Sequence, residues 1–241
     1  MMGLGTIINV AAIVVGGLLG KLLGRIFPER LQDTLNKACG VCVVFIGIAG
    51  ALEGMMSVSQ DKLVSGKTML IISSIALGAL IGEILNIEAG IEKFGSWLKR
   101  KTGNESERKF VEGFVTASLT VCVGAMAIVG AIEDGIYGDY SILVTKAILD
   151  FIIILVMTCS MGKGCMFSAI PVGILQGLVT LLAKLIKPIM TDGALMNLSL
   201  VGSILIFCVG VNLVWGKKVR VANLLPAIIF AVVFAFIPIK F

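Results

Sequence analysis

The chain has 241 residues, of which 58% are hydrophobic and 15% charged, with a mean hydropathy of +1.05 and a net charge of +5. Soluble domains carry about 25% charged residues, so this composition excludes a water-dispersed globular protein and predicts an all-α polytopic membrane bundle forming a single domain over 1–241. The basic residues are scattered through short loops between apolar runs, which excludes nucleic acid as a partner, and the absence of histidine removes His-ligated metals and His-dependent catalysis.

Apolar runs long enough to cross a layer of about 30 Å predict eight spans, at 5–23, 38–56, 67–85, 111–132, 142–161, 165–186, 198–215 and 221–239. The opening MMGLGTIINVAAIVVGG lacks the basic start of a cleavable signal and is read as a retained first helix. After Pro28, the line Leu31, Leu35, Ala38 leads into the second span. Ile87, Ile91, Phe94 and Leu98, followed by Lys99, Arg100 and Lys101, predict a short amphipathic helix, either in the headgroup layer or packed on the rim of the bundle. GNESER at 103–108 reads as a solvated turn before the fourth span.

That fourth span, FVEGFVTASLTVCVGAMAIVGAIED, organises the rest. It is expected as one continuous central helix, with Glu112, Thr116 and Thr120 a turn apart on one face and Gly113, Ala117, Gly124, Ala127 and Ala131 allowing close packing. The fifth and sixth spans are parted only by Gly162, Lys163 and Gly164, so a re-entrant segment there would leave seven crossings.

With eight crossings, one side collects 14 Lys and Arg and the other 6, counting Lys146 and Lys240 among the latter. The positive-inside rule then places the basic side in the cytoplasm and both termini outside it, in a bacterial cytoplasmic membrane. Laid 80 positions apart, Val41–Gly54 and Val121–Asp134 match at 7 of 14 positions, which reads as an internal repeat. A weaker echo from Phe207 would lie upside down, and inverted repeats are a recurring plan of secondary transporters.

Polar groups within the spans are the candidate binding residues for a small solute or ion. They are Glu112, Thr116 and Thr120 in the fourth span, Asp150 in the fifth, Ser168 and Gln176 in the sixth, and Asn9, Asn212 and Asn223. Lys146 and Asp150, at i,i+4, can pair. Glu53, Glu133 and Asp134 either mark helix ends or join the site. In the sixth span Pro171 removes a bond to the carbonyl of Phe167 and predicts a kink. The six cysteines sit in apolar helices, and the Cys39–Cys42 pair has no second pair to complete a tetrahedral metal site. No nucleotide motif is present, so no cofactor is expected.

FVEGFVTASLTVCVGAMAIVGAIEDG, the GD at Gly138, KAILD from Lys146, FSAIPV from Phe167, QG at Gln176 and NLLPA from Asn223 together resemble the YdfK/YqgA family of bacterial integral membrane proteins of unknown function. The likeness covers nearly the whole chain, departing at Glu133, where relatives often carry Gln, and at Ala147, where they often carry Ser. The resemblance implies an inner-membrane location and a transport role, and supplies neither substrate nor site. The expectation is a non-enzymatic secondary transporter or channel. The alternative is a scaffold or sensor subunit whose polar groups only hold helices together. Small-residue faces also suit a homodimer.

Overall fold

The computed structural model describes residues 2–59 and 62–237, so the last residues of the eighth predicted span and Lys240 lie outside it. It is an all-α transmembrane bundle. Eleven α-helices run in chain order: α1 (Leu4–Ile26), α2 (Glu29–Met55), α3 (Thr68–Leu85), α4 (Ile87–Lys101), α5 (Phe110–Cys122), α6 (Ala125–Tyr137), α7 (Ser141–Met161), α8 (Ala169–Leu181), α9 (Ala183–Ile186), α10 (Asp192–Trp215) and α11 (Pro226–Phe234). Six are long and apolar enough to cross a membrane, counting α8 with the 3-10 turn Lys163–Ser168 that leads into it. The bent pair α5 and α6 makes a seventh, and the apolar stretch Val221–Phe234 is shorter.

Between α2 and α3 the chain forms a hairpin, β1 (Met56–Ser59) and β2 (Lys62–Ser65), paired antiparallel with Met56 opposite Ser65. It fills the gap between the second and third predicted spans. The opposite end of the bundle gathers the end of α1, the start of α2, α4 and the loops around Lys163 and Lys217. These two ends are called the hairpin end and the basic end below.

Glycine fixes the packing. Along α1, a Cβ at Gly16 would come within 2.6 Å of the Phe151 carbonyl oxygen and one at Gly20 within 2.4 Å of that of Leu155, so α1 lies backbone to backbone beside α7, parallel to it. Gly40, Gly47 and Gly54 seat α2 against Leu213, Phe207 and Leu200 in turn, and the descending order makes α2 and α10 antiparallel. Gly78 and Gly82 take Ala227 and Asn223 in the same way, joining α3 to α11 and the turn before it. The Gly-x-x-x-Gly steps at Gly16–Gly20 and Gly78–Gly82 are thereby filled within the chain.

Two expectations change. The fourth span is not continuous: α5 ends at Cys122, α6 starts at Ala125, and the two are bent by 62°. Gly124, at φ 151° and ψ 147°, holds a backbone conformation that L side chains rarely adopt, so the helix breaks at a residue that tolerates it. The matching segment Val41–Gly54, in contrast, lies in the unbroken α2. Pro171 does not kink a long helix either. It sits in the first turn of α8, directly after the 3-10 turn, where its missing N–H has least to lose. The fifth and sixth runs are two separate helices, α7 ending at Met161 before Gly162 at φ 87°.

α4 packs on the rim of the bundle as well as presenting a surface. Leu98 is buried with Phe110 and Phe114, while Phe94 stacks on Trp97 at 5.6 Å and tilts over Phe114 at 5.8 Å.

Candidate functional site

The candidate residues of the sequence do not form one cavity; the structure sorts them into three sets. The first lies at mid-depth. Asp150 is the tenth of the 21 residues of α7, about 13 Å from its start at 1.5 Å per residue. Its carboxylate lies 2.6 and 2.8 Å from the Lys146 ammonium, one turn back on the same helix. Lys146 is buried within α7, inside the fifth predicted span, and so does not belong with the hairpin-end charges among which it was counted.

The third partner of Lys146 explains its position. Its Nζ donates to the main-chain carbonyl of Val121 at 2.8 Å, close to the break between α5 and α6. In a continuous helix that carbonyl would accept from the N–H of residue 125. Breaking the helix inside hydrocarbon would leave it unpaired, a cost of about 1–3 kcal/mol that Lys146 removes.

α1 and α8 complete this set. Asn9, fully buried, donates through Nδ2 to Asp150 Oδ2 at 3.0 Å and to Gln176 Oε1 at 3.3 Å. Its Oδ1 and the Gln176 Nε2 have no partner among the described residues. So Asn9, Asp150 and Gln176, predicted from sequence as lone polar groups on separate spans, meet with Lys146 around the helix break.

The second set faces a cavity of about 680 Å³ at the basic end, between α2, α4, α5 and α10. Glu112 and Thr116 line it from α5, Asn36 and Lys37 from α2, and its deepest α5 residue is Leu119. Leu119 is two residues before Val121, about 3 Å along the axis, so along α5 the cavity ends one step before the residue whose carbonyl Lys146 takes. Thr120 is buried and donates to the Thr116 carbonyl at 2.8 Å, so its hydroxyl is satisfied within α5. Arg108 also lines the cavity, and Lys217 at its mouth pairs with Glu88 at 2.6 Å and Glu92 at 2.7 Å, which pushes the lysine pKa up from its ordinary value.

Most of the third set bonds the backbone. Asn212 accepts from the N–H of Lys218 and Val219 at 2.8 and 2.9 Å and donates to the Val219 carbonyl at 2.7 Å, fixing the loop after α10, although it also borders the cavity. Asn223 accepts from the Glu88 N–H at 2.8 Å, closing the start of α4, and donates to Glu83. Both amides are thus held in place by the fold around them. Asp134 is buried, and its two oxygens take the N–H groups of Gly3 and Gly5 at 3.1 and 3.0 Å, so it serves the start of α1, where an anion also suits the helix dipole. Ser168 is buried at the junction of the 3-10 turn and α8, with no partner for its hydroxyl among the described residues.

The duty of Lys146 toward Val121 has no signal in the sequence, because a helix break that would need a donor is invisible in an apolar run. Thr180, which interrupts the apolar sixth span, and Thr6 each lie one turn from an amide, Gln176 and Asn9. Their signal is the repeated three- and four-residue spacing of polar side chains on two facing helices. Among the described residues no three Cys, Asp or Glu side chains are grouped to hold a metal ion.

Comparison with known proteins places this architecture. No solved structure matches the chain. An uncharacterized membrane protein, YdfK of Bacillus subtilis (strain 168), is 30% identical over 233 residues, covering 97% of this chain and 96% of its own. The uncharacterized protein YqgA of Escherichia coli (strain K12) is 30% identical over 234 residues, covering 95% of each. The model of a protein family of unknown function, DUF554, matches residues 4–236, and the chain belongs to that family.

Proposed function

We propose that the chain is a secondary transporter or channel that moves a small solute or ion across the cytoplasmic membrane, with the basic end inside and both termini outside. The observation that carries this reading is the broken span α5–α6. Its Val121 carbonyl is taken by Lys146 at mid-depth, and the same α5 lines a 680 Å³ cavity at the basic end as far as Leu119. Irregular backbone inside a bilayer persists where it is buried in protein or lines a cavity, and discontinuous helices of this kind form substrate and ion sites in transporters. Glu112 and Thr116 would meet the solute in the cavity, and the Asn9–Lys146–Asp150–Gln176 cluster would form the barrier behind it.

A non-transporting scaffold is the second reading, favoured by one observation: Asp134, Asn212 and Asn223 each bond backbone groups that start a helix or fix a loop, which is work for the fold. Because the small-residue seams are filled within the chain, a second copy would pack on the exposed apolar faces of α2 and α3.

The test is flux through purified protein in proteoliposomes, screening radiolabelled sodium, potassium, amino acids, sugars and organic acids with and without an imposed pH gradient. Flux above protein-free vesicles, lowered by Glu112→Gln and altered in ion dependence by Asp150→Asn, supports transport. Wild-type protein indistinguishable from empty vesicles across the panel removes it in favour of the scaffold.

A further inference from the structure

The polar groups of α1 and α8 form two levels. Nearer the hairpin end, Thr6 and Thr180 both line a pocket of about 490 Å³, together with Gly135 and Lys184. One turn deeper, Asn9 lies beside Gln176, and Asn9 is bonded to Asp150. Thr6 precedes Asn9 by three residues and Thr180 follows Gln176 by four, so on antiparallel helices both pairs fall on the facing sides.

At each level a donor or acceptor is left over. The hydroxyls of Thr6 and Thr180, the Oδ1 of Asn9 and the Nε2 of Gln176 are all buried and without a hydrogen-bond partner among the described residues. A single such atom in a bundle is unremarkable. Four in a row, running from a pocket to a buried ion pair, are not satisfied by protein and call for a ligand that both donates and accepts.

We infer that Thr6, Asn9, Gln176 and Thr180 form a hydration file that carries water, and protons with it, from the pocket at the hairpin end to Asp150. Water fits the chemistry because it donates to Asn9 Oδ1, accepts from Gln176 Nε2 and does either with a threonine hydroxyl. Hydration also gives the coupling ion a chemical class. Among the described residues the charged group facing Asp150 is Lys146, with Asn9 from α1 and the Val121 carbonyl reaching the same pair and the Cys122 thiol of α5 near both charges, so the carboxylate is the base that a proton arriving there meets. The proton role rests on the transport reading above; the file does not.

The file is tested by magic-angle-spinning NMR of bilayer-reconstituted protein labelled with 15N-glutamine, in which three side chains, Gln32, Gln60 and Gln176, give signals. Gln176→Leu identifies the third. The expected result is direct water-to-amide magnetisation transfer at Gln176 Nε2, slowed at least tenfold by Thr6→Val with Thr180→Val and restored by serine at both positions. Unchanged Gln32 signals show that the variants are folded. Gln176 amide protons that persist for hours in D2O in the wild type, or transfer unchanged in the double valine variant, overturn the file. Protein that moves no solute but still exchanges at Gln176 keeps the file and loses the transporter.

Discussion

Lys146 donates to the carbonyl of Val121, so a side chain of α7 stands in the hydrogen-bonding position that a backbone N–H would hold if α5 and α6 were one helix. The break is therefore tied to an ion pair, because the same ammonium is neutralised by Asp150 at 2.6 Å. Removing either charge strands the other in hydrocarbon, which costs about 3–5 kcal/mol, whereas replacing both by apolar groups of similar size is often near neutral. Lys146→Met and Asp150→Leu singly should each lower the melting temperature in detergent more than the double variant does. A double variant as unstable as the worse single would show that the two residues are not coupled.

Asp134 and Glu133 make a paired comparison. Asp134→Ala leaves two N–H groups at the start of α1 without their acceptor and should cost about 1–3 kcal/mol, while Glu133→Gln, whose side chain has no such duty, should stay within about 0.5 kcal/mol. Melting curves of the two variants decide it, and equal losses would remove the capping role of Asp134.

Glycines at close approach should be far less replaceable than those facing open space. A Cβ at Gly82 would fall 1.8 Å from the Asn223 carbonyl oxygen, whereas nothing lies within 4 Å of one at Gly177. Gly82→Ala should lower the yield of folded protein severely. Gly177→Ala should be neutral or gain up to about 1 kcal/mol from helix propensity. Size-exclusion profiles and melting of both variants test the contrast; a well-folded Gly82→Ala would mean that α3 and α11 are not packed as described.

The basic end carries a pH-sensitive contact. The hydrogen bonds that Lys217 donates to Glu88 and Glu92 raise its pKa above its ordinary 10.5, so the contact contributes fully below that value and is lost as pH rises through the higher folded value. Lys217 is largely exposed, so the contribution is about 1 kcal/mol or less. Trp97 lies on α4, and its fluorescence should change as the pH rises above 10.5 in the wild type, with that component missing in Lys217→Met. An identical profile in the variant would assign the change to other groups.

How much of this could be read in the residues differs by element. The membrane class, the long helices and the amphipathic α4 follow from hydropathy and spacing, because burial in lipid demands those patterns. The pairing of Lys146 with Asp150 follows from i,i+4 spacing. The split of the fourth span does not, since Gly124 is one glycine among 29 and only its φ of 151° distinguishes it. Nor could the sequence separate Asn9 and Gln176, which meet each other, from Asn212 and Asn223, which bond backbone. An amide carries the same donors and acceptors in both settings, and tertiary neighbours alone assign them.

The glycine seams described for α1 with α7 and for α2 with α10 have a mechanical meaning. Main chains that touch without intervening side chains have no soft layer in which to slide, so each pair behaves as a single stiff strut. Any rearrangement that keeps both struts whole must be taken up between them, and the segments available there are the Gly124 joint and the 3-10 turn at Lys163–Ser168.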